Sequence, residues 1–314
     1  MPRFLALTSM LALLFSACST VPRSPYGPWQ APLYRHHPLV GTVWSTHEQQ
    51  PVSQEQLLQR LGGARFVILG EKHDNPDHHS LQRYVLLQLA ANATLDRVSF
   101  EMLDSSQQPA LDSLTPASIS ARETLRSALA WDAQGWDWSF YGPLIQDSLL
   151  AGVAVRSANI SSDEMMTVYA AEANITTDGV LGDSQMQRLH QEIDESHCGM
   201  LPESQFPAMV RVQQVRDAAM AQSMSGDIEN TSGVRVLIAG NFHARRDLGV
   251  PNYIEPEQGE LISVAFIEVN PDSDQAQEYL ESFSGTMPYD YLWFTPALAA
   301  QDYCVSLRSD DAKQ

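Results

Sequence analysis

Three apolar stretches of this chain end in residues that can move protons or hold a metal ion. Residues 65–70 (RFVILG) run into Glu71-Lys72-His73-Asp74-Asn75, and residues 97–100 (RVSF) into Glu101-Met102. Residues 234–239 (VRVLIA) run into Gly240-Asn241-Phe242-His243-Ala244-Arg245. Glutamate and histidine together suit general acid–base catalysis, or ligation of a divalent metal. Glu71, His73, Glu101 and His243 are therefore the candidate catalytic group, and Glu71, His73 and His243 the candidate metal ligands. Gly70 and Gly240 precede these polar residues, and a missing side chain lets another backbone or a ligand come close. Any one such residue is ordinarily a loop hydrogen-bonder. The repetition at three strand ends is what argues for a site.

Other residues are weaker candidates. His78 stands in the first turn of a helix and could reach the same crevice, although helix N-termini favour anions over cationic histidine. His36, His37 and His47 read as solvent-facing, and His190 and His197 have no partner spacing. The aromatic loop with Trp131, Trp136, Trp138, Phe140 and Tyr141 could line a flat apolar ligand or simply pack between helices. Met165-Met166 and the pair Met220 and Met224 read as helix core. The chain has no G-x-G-x-x-G after a strand, P-loop, G-x-S-x-G elbow, H-E-x-x-H or C-x-x-C, so nucleotide binding and nucleophilic serine or cysteine chemistry have little support.

The elements that must carry these groups alternate between strands and helices. Ser53 with Gln56 makes a capping box for a helix over residues 53–61, and Asn75-Pro76 opens another to about residue 92. Residues 115–130 are mostly helical, Pro143 begins a further helix, 153–157 form a strand, and Ser161 with Glu164 opens a helix to about 172. Residues 175–228 read as a helical insert subdomain, and 261–269 and 291–294 as closing strands. This order predicts an α/β fold, with a mostly parallel central sheet flanked by helices. Ligands of such sheets bind outside the carboxyl ends of the strands, which would gather the glutamates and histidines into one crevice.

The N-terminus addresses the compartment. Arg3 is followed by an apolar run over residues 4–15, too short to span a bilayer and of signal-peptide length. Phe15-Ser16-Ala17-Cys18 resembles a lipobox, so residues 1–17 read as a signal peptide and Cys18 as the lipidation site; an ordinary cleaved signal is the alternative. Several acyl chains would anchor the protein permanently. Ser19 after the cysteine resembles sorting to the outer membrane, on either its periplasmic or its surface side. Residues 18–38 read as a tether and 39–314 as one domain. Lys and Arg total 19 against 38 Asp and Glu, a net charge of −19, which excludes nucleic acid as a partner. The other two cysteines, Cys198 and Cys304, form either a disulfide in an oxidising compartment or two separate thiols.

The run Gly70-Glu71-Lys72-His73-Asp74-Asn75-Pro76-Asp77-His78-His79 resembles the G-E-x-H-D-N-x-x-H-H signature of the ChaN family of haem-binding lipoproteins. Ser99-Phe100-Glu101-Met102, Tyr141-Gly142-Pro143-Leu144 and the stretch from Gly240 through Pro251 resemble later family motifs, in the family's order across about residues 40–300. The resemblance implies an outer-membrane lipoprotein of haem or iron uptake. It implies haem as cofactor, an outer-membrane haem receptor as partner, and a homodimer formed on haem. It also implies tyrosine and histidine contacts to haem, for which Tyr84, Tyr141 and Tyr169 are candidates. His78, Tyr141, Trp138 and Arg245 make up the candidate ligand-binding set, Arg245-Arg246 as a basic patch for propionates. The same superfamily includes erythromycin-esterase-like and Tiki-type hydrolases, so a metal-dependent hydrolase or peptidase of the cell envelope is the alternative reading of the Glu/His crevice.

Overall fold

A computed structural model describes residues 25–170, 179–226, 233–255, 260–281, 283, 285–299 and 304. Residues 1–24, with the expected signal peptide and Cys18, lie outside the described residues. Eight strands form one sheet: β1 (Val43–Ser45), β2 (Gln50–Val52), β3 (Phe66–Glu71), β4 (Leu95–Asp104), β5 (Ala154–Asn159), β6 (Val234–Gly240), β7 (Leu261–Glu268) and β8 (Tyr291–Thr295). Their order is β2-β1-β8-β7-β3-β6-β4-β5, with β8 through β5 mutually parallel and β1 antiparallel to both its neighbours, β2 and β8.

The strands are apolar on both faces because both are covered, and the period of two divides their side chains. Val67 and Leu69 of β3, with Val236 and Ile238 of β6, join one core together with α1 (Gln54–Gly63), α2 (Pro76–Ala91), α5 (Arg122–Ala128) and α6 (Trp138–Leu150). Phe66, Ile68, Leu237 and Ala239 join a second core against α9 (Phe206–Ser225), through Met220, Ala221 and Met224. The short α3 (Gln108–Asp112) and α4 (Pro116–Ile119), then α7 (Ser162–Ala170) and α8 (Asp183–Ser196), complete the helices that the argument needs. No helix among the described residues is long and apolar enough to cross a membrane.

Several expectations change. Residues 25–38 are not a free tether: the Gln30 and Ala31 amides donate to Asp77 (2.7 and 3.0 Å), Leu33 bridges to Ala297, and Tyr26 and Trp29 pack on the core. His37 is buried beside Asp274 (3.3 Å) and does not face solvent. The helical stretch 175–228 is not a separate insert, since α9 is the cover of one sheet face. Arg97 and Arg235 reach across from β4 and β6 to the carbonyls at the C-terminal end of α9, where cations suit the helix dipole. α6 begins at Trp138, capped by Asp137, five residues before Pro143. The proline is tolerated because the carbonyl it leaves unbonded belongs to Ser139, which is exposed in the first turn. Met165 and Met166 are not core: they are 37% and 62% exposed.

Candidate active and ligand-binding site

The polar residues at the ends of β3, β4 and β6 line one cavity of about 810 Å³ at the carboxyl edge of the sheet. Glu71, His73, Glu101 and His243 all contribute to its wall. The period of two sends the two glutamates to opposite faces. Glu71 points with Val67 and Leu69 toward α2 and α6, whereas Glu101 points with Arg97 and Ser99 toward α9. They meet around the end of the sheet, through histidine.

On the first face, Glu71 Oε1 accepts from Tyr141 OH (2.6 Å) and His73 Nδ1 (2.9 Å). Its Oε2 lies 3.1 Å from His79 Nδ1. His79 Nε2 donates to the His73 carbonyl (3.0 Å), so a neutral His79 would set a lone pair against the carboxylate. His79 therefore stands as imidazolium. Burial would raise the Glu71 carboxyl, but His79 and His73 override it and hold it well below the usual range. Burial likewise opposes charge on His79 and His73, and in both the neighbouring carboxylates win and raise the imidazole value. Burial, followed by the Glu71 charge, raises the Tyr141 phenol, which stays protonated.

On the second face, Glu101 is 3% exposed. Its Oε2 accepts from the Gly240 amide (2.7 Å), and its Oε1 from Arg216 Nη2 (2.5 Å), with His243 Nε2 at 3.4 Å. His243 Nδ1 donates to Asp217 Oδ1 (2.6 Å). Both ring nitrogens of His243 thus face carboxylates, and despite burial Glu101 and Asp217 push its value up to about 9. Burial would raise Glu101, but His243 and Arg216 hold it well below the ordinary range; burial raises Asp217. The halves are joined where His73 Nε2 comes within 4.0 Å of Glu101 Oε2. The result is one chain, Tyr141–Glu71–His73 and then Glu101–His243–Asp217, with a charged interior in which Glu71 Oε2 and His79 Nδ1 face each other without a well-aligned hydrogen bond. His73 is its open member, with a side chain 40% exposed, Nδ1–H committed to Glu71 and Nε2 at the cavity.

The turn after β6 places His243. The Asn241 amide donates to the Glu71 carbonyl (2.8 Å), and Asn241 Nδ2 donates to the Phe266 carbonyl (2.8 Å). A Cβ on Gly70 would lie 2.6 Å from Asn241 Oδ1 and 2.8 Å from Ala244 Cβ, so the turn can approach β3 only because residue 70 is glycine.

Other candidates fall elsewhere. His78 borders the cavity but is locked and neutral: its Nδ1 accepts from the Lys72 amide and its Nε2 donates to Thr295 Oγ1, both at 2.9 Å. Burial first, then the His79 charge, lowers it to about 3. Tyr141 is buried under Glu71, and Trp138 packs against Trp131 in the core, outside the cavity. Arg245 is not available to an anion: it is 4% exposed and clamped by Glu192 (2.6 Å) and Asp247 (2.6 Å). Arg246 pairs with Asp290 (2.7 Å). No group of three or more His, Cys, Asp or Glu side chains among the described residues is arranged to hold an ion, Glu71, His73 and His243 included.

Four contributors were not foreseen. Gln213, Arg216 and Asp217 come from α9, and His79 from α2. The available signal was a charged residue at a helix position in register with apolar ones, Asp217 in line with Val210, Met220 and Met224. The upper wall is largely apolar, from Met165, Met166, Met209, Val212 and Phe242. Tyr169 and His197 also border it, and Tyr84 instead packs on Tyr26 and Trp293. His197 Nδ1 donates to the Ile193 carbonyl (2.6 Å), leaving Nε2 unbonded among the described residues. Next to it, Cys198 is disulfide-bonded to Cys304, Cα to Cα 5.5 Å, across a separation of 106 residues.

No curated protein matches the chain. Among solved structures, that described as cofacial heme binding to ChaN of Campylobacter jejuni is similar over 80% of this chain and 95% of that one, with a TM-score of 0.65 and 23% identity. An erythromycin esterase mutant in its open conformation is similar over 84% of this chain and 99% of its own, at a TM-score of 0.45 and 13% identity. The type III effector HopBA1 is similar over 85% and 97%, at 0.41 and 12%. The profile of the family described as haem-binding uptake, Tiki superfamily, ChaN matches residues 57–254, well over half of the chain, and the chain belongs to that family.

Proposed function

We propose that the chain binds haem in the cavity at the carboxyl edge of its sheet, as an outer-membrane lipoprotein of iron acquisition. The carrying observation is the cavity: about 810 Å³, within the range of cofactor sites, apolar in its upper wall and bordered by Tyr169, His73 and His197. Tyrosine and histidine are both known axial ligands of haem iron. The two histidines share the second bond that orients a ligating imidazole, Nδ1–H to a carboxylate in His73 and to a backbone carbonyl in His197. Family membership and the heme bound by the Campylobacter jejuni relative support the same reading. Bound haem would supply the iron centre; this chain would supply the axial donor, an apolar face and exclusion of water. The exposed Met165 and Met166 at the cavity rim suit closure by a second copy. Haemin titration should give a saturable Soret shift with a defined stoichiometry, weakened by Tyr169→Phe or His197→Ala. Absence of saturation in the wild type refutes the reading.

Anchoring by acylated Cys18 and delivery from an outer-membrane haem receptor complete the proposal. Its basis is the lipobox-like Phe15-Ser16-Ala17-Cys18 and Ser19. Cys18→Ser should move the protein from the membrane to the soluble envelope fraction. A second reading, hydrolysis in the Glu/His crevice, rests on His73: its Nε2 is open, its tautomer is set by Glu71, and Glu101 stands 4.0 Å away, as a water-activating base requires. Turnover of an ester or amide panel that His73→Gln abolishes would establish it.

A further inference from the structure

Arg216 is built into the cavity wall with donors to spare. Its side chain is 23% exposed. A guanidinium has five N–H donors. Nε bonds Asn159 Oδ1 (3.2 Å) and Nη2 bonds Glu101 Oε1 (2.5 Å), while Nη1 makes no hydrogen bond among the described residues. The other lysine or arginine bordering the cavity, Lys72, is paired with Glu268 (3.0 Å), which also borders it, and with Asp74 (3.5 Å). Two bonds and the α9 backbone fix the Arg216 plane, so little side-chain entropy remains to be lost on binding.

Each carboxylate in or beside the wall faces a cation or a histidine. Glu101 and Asp217 face Arg216 and His243, Glu71 faces His79, Glu192 pairs with Arg188 and Arg245, and Glu268 pairs with Lys72. A carboxylate entering this corner meets oriented N–H groups inside a chain of net charge −19. The opposing wall of Met165, Met166 and Phe242 calls for an apolar frame on the same molecule.

We propose that Arg216 is the carboxylate anchor of this cavity, with Nη1 donating to an acid group on an otherwise apolar ligand. Resting on the haem reading above, the acid is a haem propionate; a fatty acid presents the same chemistry. The test compares haemin, haemin dimethyl ester and palmitate on the disulfide-intact protein, as wild type, Arg216→Met and Arg216→Lys. Wild type should hold haemin about tenfold or more tighter than the diester, the scale of one charge-assisted contact. Arg216→Met should bring that ratio near one, and Arg216→Lys should restore part of it. The wild-type ratio needs no variant, so a folding defect cannot hide the answer. Equal affinity of wild type for acid and ester, or an unchanged ratio in Arg216→Met, overturns the anchor while leaving haem binding intact. Saturable palmitate binding that needs Arg216, without any porphyrin binding, would sink the haem reading and keep the anchor. Binding of none of the three refutes both.

Discussion

Replacing Glu101 with glutamine tests the charged interior of the site. The carboxylate answers two cations, Arg216 at 2.5 Å and His243 at 3.4 Å, and the Gly240 amide at 2.7 Å. The isosteric amide can keep the Gly240 bond, but it then turns its NH₂ toward the cations. Removing one partner of a buried ion pair costs about 3–5 kcal/mol, and the retained shape favours the lower end, ~3 kcal/mol. At about 2–4 °C per kcal/mol for a domain of this size, Tm should fall by roughly 6–12 °C at pH 7. The loss should also depend on pH. His243 holds its proton to about 9 in the folded chain against an ordinary 6.5. Between those values the native state binds a proton that the unfolded state has released, so stability is full below 6.5 and drains as pH rises through 9. That difference corresponds to ~3 kcal/mol. Glu101→Gln brings the folded value back toward 6.5 and shortens this window. The gap between wild type and variant, read from urea midpoints with the disulfide intact, should therefore narrow from pH 7 to pH 10. A gap under about 1 kcal/mol at pH 7, or one constant across that range, would show that Glu101 is not the counter-charge of His243.

His78 predicts the opposite limb. Its folded value of about 3 means that below 6.5 the unfolded chain takes up a proton the native one refuses, so wild type should lose stability as pH falls toward 3. His78→Asn should flatten that slope between pH 6 and 4, and an unchanged slope counts against a neutral buried His78. Gly70→Ala should cost about 1–3 kcal/mol, since its Cβ meets Asn241 and Ala244, and should shift the His243 ring resonances by NMR. Cys198→Ser should lower stability by about 2–5 kcal/mol, and reductant should lower the wild type equally while leaving the variant unmoved.

Much of the sheet was legible because its strands are buried on both faces and read as unbroken apolar runs. β3, β6, β7 and β8 fall where those runs predict. β4 was foreseen over only four residues, yet it spans Leu95–Asp104. Arg97, Ser99 and Glu101 interrupt its apolar pattern on one face, and they are tolerated there because α9 supplies their partners. The helix starts at Ser53 and Asn75 followed their caps, both of which the structure contains. The same logic was overlooked at Asp137, where the crowd of aromatics suggested a loop and Pro143 suggested a start. That Glu71, His73, Glu101 and His243 line one cavity follows from parallel strands ending at one edge. Their partners on α9 could not be read, because nothing local says which helix will cover β4: Arg216 reaches Glu101 across 115 residues and Asp217 reaches His243 across 26.

The arrangement separates what orients from what can bind. Glu71, Glu101, His79, His243 and Asp217 are buried and each faces an opposite charge, so none has a donor or acceptor that it can give up without leaving a charge unpaired in the interior. They fix the tautomer of His73 and the plane of Arg216. Along the cavity, groups with uncommitted atoms among the described residues include His73 Nε2, His197 Nε2, Arg216 Nη1 and Asn241 Oδ1, together with the Tyr169 ring. Substitutions in the buried chain should therefore appear mainly in Tm and its pH dependence, and substitutions at the open groups mainly in ligand affinity. A floor residue such as Asp217 whose loss weakens haemin binding at full stability would mean that the charged chain itself contacts the ligand, and the division into a rigid floor and a binding wall would have to be abandoned.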